Sequence, residues 1–132
     1  MTQARSKDVI NRYIKAYETG NQNDINAFLA DEYAYFAPGG GRPMDKQERM
    51  RDESFFSAFS HITTTVEDEL AEGNKVACRI TMRCTQKGDF HGIPATGRRI
   101  SITYMEMFLL RGEKILKEWA EFDMLTLLDK LK

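Results

Sequence analysis

Apolar residues recur at three- and four-residue steps at the start of the chain, as Val9, Ile10, Tyr13, Ile14 and Tyr17, with polar residues between them. That spacing predicts an amphipathic helix over 4–19, stopped by Gly20. A second short helix is predicted after Asn23 or Asp24, burying Ile25, Phe28 and Leu29. Tyr33-Ala34-Tyr35-Phe36 reads as a short strand, ended by Pro38 and the glycines at 39–41. Asp45 and Glu48 stand at capping-box spacing, so a third helix is expected over 45–59. From His61 onward the period changes to two. Strands are predicted over 62–72, 75–86, 98–110 and 114–123. Gly73-Asn74 turns the first pair and Arg111-Gly112-Glu113 the last. Leu125, Leu127, Leu128 and Leu131 close the chain as a helical turn or two.

Helices followed by a run of antiparallel strands are an α+β order, not an alternating βαβ one. The expected architecture is a cone-shaped α+β barrel, its N-terminal helices packed in a curved, mostly antiparallel sheet, with 1–132 as one domain. Two strands are apolar on both faces. Segment 98–110 sets Ile100, Ile102, Tyr104 and Phe108 against Met105, Met107 and Leu109. A sheet covered on its concave side needs one apolar face, so the excess predicts a homodimer formed through the sheet.

Composition narrows the partners. Nineteen Lys and Arg stand against 20 Asp and Glu, so no long-range field points to nucleic acid or an anionic membrane. No apolar run approaches the ~20 residues of a membrane helix, and the first residues lack the apolar centre of a signal peptide. Cytoplasmic residence is expected. Cys78 and Cys84, six apart on one strand, lie too far from each other to bridge and read as buried thiols. With His61 and His91 they offer no zinc-ligand spacing.

The chemistry has to come from acids, bases and aromatic walls. Trp119, Glu121 and Asp123 alternate on the last strand and so share a face. Asp123, with Phe122, Met124 and Leu125 beside it, reads either as a desolvated carboxyl of raised pKa, able to act as general acid or base, or as the N-cap of the last helix. Glu121 is a second candidate, equally readable as an ion-pair partner of Arg98 or Arg99. Glu106 interrupts an apolar strand on the face of Tyr104 and Phe108; a concave placement makes it a pocket carboxylate, a convex one puts it at the dimer seam. His91, in a loop near Gly92 and Gly97, is a candidate proton donor at the mouth of the cone. Tyr33, Tyr35, Phe36, Tyr104 and Trp119 are candidate walls for a small apolar or aromatic ligand. No serine lies in a nucleophile elbow, and no phosphate loop or dinucleotide fingerprint is present. Acid–base chemistry without metal or cofactor is the expectation.

Gly92-Ile93-Pro94-Ala95-Thr96-Gly97-Arg98-Arg99-Ile100, the strand ending Glu106-Met107-Phe108, then Lys114-Ile115, Glu118-Trp119, Phe122-Asp123 and Leu127-Leu128 follow a known pattern. The chain resembles the SnoaL-like polyketide cyclases, a branch of the nuclear-transport-factor-2-like fold. The resemblance implies a cone with a deep apolar cavity, dimerisation through the sheet, and ring closure by intramolecular aldol condensation in which a pocket Asp moves the proton. Asp123 is the position that the resemblance favours for that role. The family often carries an acidic residue directly after the Trp, where this chain has Ala120. Two other readings stay open on the same fold: a non-catalytic ligand-binding or dimerisation module, and epoxide hydrolase-like chemistry from Glu106, Asp123 and Arg79 or Arg99.

Overall fold

The first helix starts at Thr2, whose hydroxyl accepts the Arg5 N–H at 3.1 Å. In the computed structural model, which describes residues 2–132, α1 runs Gln3–Ala16 and buries Val9, Ile10, Tyr13 and Ile14, the predicted stripe. It tightens into a 3₁₀ turn at Tyr17–Thr19 and stops at Gly20, whose φ of 71° lies in the left-handed region that favours glycine. Helix α2 covers Gln22–Asn26, earlier than expected, because the Asn21 side chain takes the Asn23 N–H at 2.9 Å and serves as the cap.

Strand β1 (Leu29–Phe36) is longer than predicted and pairs with a two-residue β2 (Met44–Asp45). The capping box forms as read: Asp45 accepts the Glu48 N–H at 2.8 Å and Glu48 accepts the Asp45 N–H at 3.2 Å. The single helix expected over 45–59 is two, α3 (Lys46–Arg51) and α4 (Ser54–Ala58). Asp52 breaks it. Its backbone turns extended, with ψ of 106°, and its carboxylate takes both the N–H and the hydroxyl of Ser54. A short acidic side chain competing for backbone donors is a common way to end a helix.

The long strands are β3 (Phe59–Glu72), β4 (Lys75–Gln86), β5 (Arg99–Arg111) and β6 (Lys114–Glu121), followed by α5 (Met124–Leu131). One six-stranded sheet results, in the order β2-β1-β6-β5-β4-β3. Among the described residues only β1 and β6 run parallel; the other neighbours are antiparallel. The sheet is curved and unclosed, and helices pack on its concave side, as the α+β reading expected. Ile10, Tyr13 and Ile14 meet Ile80, Phe108 and Ile115 in the core. Cys78 and Cys84 are free, buried thiols of that core. The loop after β4 is pinned to the end of α4: a Cβ on Gly88 would lie 2.4 Å from the Ser57 carbonyl oxygen, and the Lys87 and Gly88 N–H groups both bond the Ala58 carbonyl. No helix among the described residues is long and apolar enough to cross a membrane.

Candidate active site

The register of β5 against β6 decides which side chains face the concavity. Glu106 pairs with Ala120 and Phe108 with Glu118, and these four are buried. Ile115 also points inward, so strict alternation would bring Lys117, Trp119 and Glu121 in with it. It does not, because the pairing slips between Leu109 and Leu110. One extra residue at such a bulge transfers everything beyond it to the opposite face. Glu118 and Ala120 therefore turn inward, while Trp119 and Glu121 turn outward.

This corrects the sequence expectation for that strand. Trp119 stacks on Phe36, centroids 5.3 Å apart and planes 11° from parallel, on the convex face. Neither ring lines the cavity. Glu121 is exposed. Asp123 is an exposed N-cap: its carboxylate accepts the Thr126 N–H at 3.1 Å and the Thr126 hydroxyl at 2.8 Å. The Thr126 side-chain bond, followed by that of its backbone, holds the Asp123 pKa below its ordinary value. The desolvated Asp123 beside Trp119 is thus not what folds. The set named for epoxide chemistry is dispersed as well, with Arg99 bonded to the His61 carbonyl at 2.8 Å and Arg79 exposed on β4.

Between the helices and the sheet lies a cavity of about 330 Å³. Phe55, Met82, Phe90, Ile102, Phe122 and Met124 give it apolar walls. Its polar side is built from Tyr17, Tyr35, Arg49, Tyr104, Glu106 and Glu118. Of the expected site residues, Tyr35, Tyr104, Glu106 and His91 line this space. His91 is exposed at the cavity edge, with φ of 47° and its ring against Phe90 at 4.4 Å. Tyr33 sits behind the lining, where its hydroxyl holds Glu118.

Two carboxyls are buried together here. Glu118 is 1% exposed, and its Oε1 accepts hydroxyl donors from Tyr13 and Tyr33, each at 2.7 Å. Glu106 is 8% exposed, and its Oε2 finds no donor among the described residues. Burial first, then the charge and hydrogen bond of Glu118, push the Glu106 pKa well above the carboxylate range. Burial thus favours the protonated form of Glu106, in which it is a hydrogen-bond donor. Arg49 of α3 closes the group. Its Nη2 donates to the Tyr13 hydroxyl at 3.3 Å and to the Tyr17 hydroxyl, and its guanidinium lies over the Tyr35 ring, 5.2 Å from the centroid. Burial raises Tyr17 to about 12 and carries Tyr35 and Tyr104 upward too, so the phenols stay protonated.

Sequence reasoning missed Arg49, Glu118, Tyr13 and Tyr17. The tyrosines were read as part of the apolar stripe of α1. Glu118 carried a usable signal, a carboxyl next to the only tryptophan, hidden by the bulge. Arg49 lies among the charges of 45–53 and had none.

A buried, acidic corner in an otherwise apolar cone suits proton transfer to a carbonyl compound. The family is decided by the sequence: residues 7–131 match the model of the SnoaL-like polyketide cyclases. The chain belongs to this family. It is similar to the aklanonic acid methyl ester cyclase DnrD of Streptomyces peucetius, 27% identical over 126 residues covering 87% of this chain and 83% of that protein. The structure of TsrD from Streptomyces laurentii superposes with a TM-score of 0.81 at 27% identity, covering 99% of this chain and 97% of that one. AclR of Streptomyces galilaeus, a proposed hydroxylase, has a TM-score of 0.86 at 23% identity, with 98% of this chain and 82% of that one covered. That last likeness is one of fold alone.

Proposed function

We propose that this chain is a single-domain, cofactor-independent cyclase that closes a ring in an apolar carbonyl compound by intramolecular aldol condensation, with Glu106 as its proton-transferring group. The observation that carries this reading is the position of Glu106. It lies directly across from Ala120, the site after the tryptophan where the family often has its acidic residue. Opposed Cβ atoms in an antiparallel pair are about 4.5–5.5 Å apart, so a carboxyl reaching over from β5 serves nearly the same space. An open, largely apolar cavity also favours a ligand-handling role over a purely structural one. A relative named for aklanonic acid methyl ester supports a carbonyl-rich substrate.

The chemistry balances without an external reagent. A carbon flanked by two carbonyls gives up a proton and its enolate attacks a second carbonyl of the same molecule. One C–C bond forms, the C=O π bond opens, and Glu106 protonates the resulting oxygen. The proton released from carbon goes to the Glu118 carboxylate of the pair, and its passage to Glu106 after the alkoxide has been protonated restores the pair. A positioned acid of this kind typically contributes about 10²–10⁴-fold. The same proposal includes a homodimer through the convex face, for which exposed Met105 and Met107 beside the Phe36–Trp119 stack speak. Cytoplasmic residence fits two unpaired buried thiols.

The decisive experiment uses linear β-polycarbonyl substrates with Glu106→Gln and Asp123→Asn. Glu106→Gln keeps the shape and a donor toward Glu118 but cannot release a proton; turnover should fall by about 10²-fold or more. Asp123→Asn keeps the cap and should leave turnover unchanged. A Glu106→Gln enzyme as fast as wild type removes the assignment.

A further inference from the structure

Arg49 has no counterpart in the sequence expectations and is not needed to place the proton, yet it is the one cation turned into the cavity among its described lining residues. We propose that Arg49, braced by Tyr17, is an oxyanion-binding residue that recognises the oxygen on which enolate charge develops, so that the cavity selects ligands able to bind as a planar oxyanion such as an enolate or phenolate. This rests on the reading of the cavity as a carbonyl-ligand site, and deepens it.

The geometry is that of a donor held ready. A guanidinium has five N–H donors in a fixed plane. The hydrogen bonds of Arg49 use Nη2 alone, and both go to phenols, not carboxylates. Its Nε is sealed from solvent and bonds no described acceptor. Leaving a buried charged donor unsatisfied is costly, and such a residue persists where something else completes it. Stacking over Tyr35 and the bond to Tyr17 fix the plane of the fork. Asp52, His91, Glu106 and Glu118 line the cavity with it. Asp52 is occupied with Ser54, and Glu118 with Tyr13 and Tyr33. Burial opposes the charge of Arg49, but the Glu118 carboxyl nearby favours it and a guanidinium stays protonated throughout this range. A fixed positive donor at the edge of an apolar space is what electrostatic stabilisation of a developing oxyanion requires.

The division of labour is then clear. Glu106 gives a proton to the oxygen of the carbonyl under attack. Arg49 holds the oxygen of the attacking enolate, which gains charge when its carbon loses a proton and gives it up as the C–C bond forms.

The test needs no turnover. 4-Nitrophenol is a planar aromatic whose phenolate absorbs in the visible, so binding and ionisation are read together. Titrated with wild-type protein below its solution pKa, it should bind as the yellow phenolate, with its apparent pKa lowered. Arg49→Gln should weaken phenolate binding by about 10- to 100-fold, the loss expected for a charge-assisted hydrogen bond. Arg49→Lys, which keeps the charge but loses the fork, should fall between, and circular dichroism confirms that each variant is folded. Glu106→Gln should retain the yellow complex. Bound probe that stays colourless in wild type, or equal phenolate affinity in wild type and both folded Arg49 variants, overturns the proposal. Phenolate bound through Arg49 by a chain that cyclises nothing would sink the cyclase reading and leave this one standing. Cyclisation unaffected by Arg49→Gln would do the reverse.

Discussion

Surroundings move a carboxyl in a folded chain, and they move Glu106 and Asp123 in opposite directions. Glu106 is buried beside a second carboxyl and its pKa is raised. Asp123 is exposed, accepts two bonds from Thr126, and its pKa is lowered. The consequences for stability have opposite signs. Below the ordinary carboxylate range Glu106 is protonated both folded and unfolded. Above it the unfolded chain ionises first, so folding loses up to about 1.4 kcal/mol per pH unit until the raised folded pKa is passed. Asp123 instead contributes stability above its unfolded pKa, and that contribution is lost as pH falls through the lowered folded one. Urea titrations at pH 5 and pH 8 should show wild type weakening over this interval and Glu106→Gln weakening less. Equal slopes would mean that Glu106 is ionised in the folded protein. Activity that depends on protonated Glu106 should decline at the alkaline side of the profile, and that limb should vanish in the glutamine variant.

Among the elements, the β5–β6 pair carries the site, and its bulge explains why the fold was easier to read than the chemistry. Helix α1, the capping box at Asp45–Glu48 and the strand β4 over 75–86 follow directly from period and turn residues, because each depends on neighbours close in sequence. The inward face of β6 does not. It depends on a slip between Leu109 and Leu110, which leaves no residue-type signature, and the alternation counted from Ile115 then puts Trp119 on the wrong side. The break at Asp52 was missed for a similar reason, since Asp is compatible with both a helix and a turn. Glu106 was legible as a polar residue in an apolar strand, and the face it shares with Tyr104 and Phe108 proved to be the concave one. The cross-strand opposition of Glu106 and Ala120 makes a sharp test. Glu106→Ala alone should abolish most turnover. Adding Ala120→Asp, which restores a carboxyl from the partner strand, should recover part of it. A double variant no better than the single one would show that the cavity does not accept its acid from β6.

For the whole molecule, the convex face is the open question that mass can settle. Met105 and Met107 are 57% and 47% exposed on β5, beside the outward Trp119. A homodimer through this surface should scatter light as twice 15.2 kDa, and Met107→Glu should convert it to monomer by burying an unpaired charge. A wild-type monomer at micromolar concentration would discard the dimer.

The parallel seam between β1 and β6 sets a timetable for the chain. Tyr33 and Glu118, bonded across it, are 85 residues apart in sequence, whereas β3, β4, β5 and β6 follow one another as hairpins and near neighbours. Closing so long a loop is entropically expensive until the contacts at its ends form. The meander and α1 should therefore organise first, with β1 docking last. The only tryptophan stacks on Phe36 at that seam and so acts as a built-in optical clock for the final event. In stopped-flow refolding, the change in its fluorescence should lag the far-ultraviolet dichroism of the helices and sheet, and Phe36→Leu should abolish much of the lagging signal. Coincident traces would mean that the seam closes together with everything else.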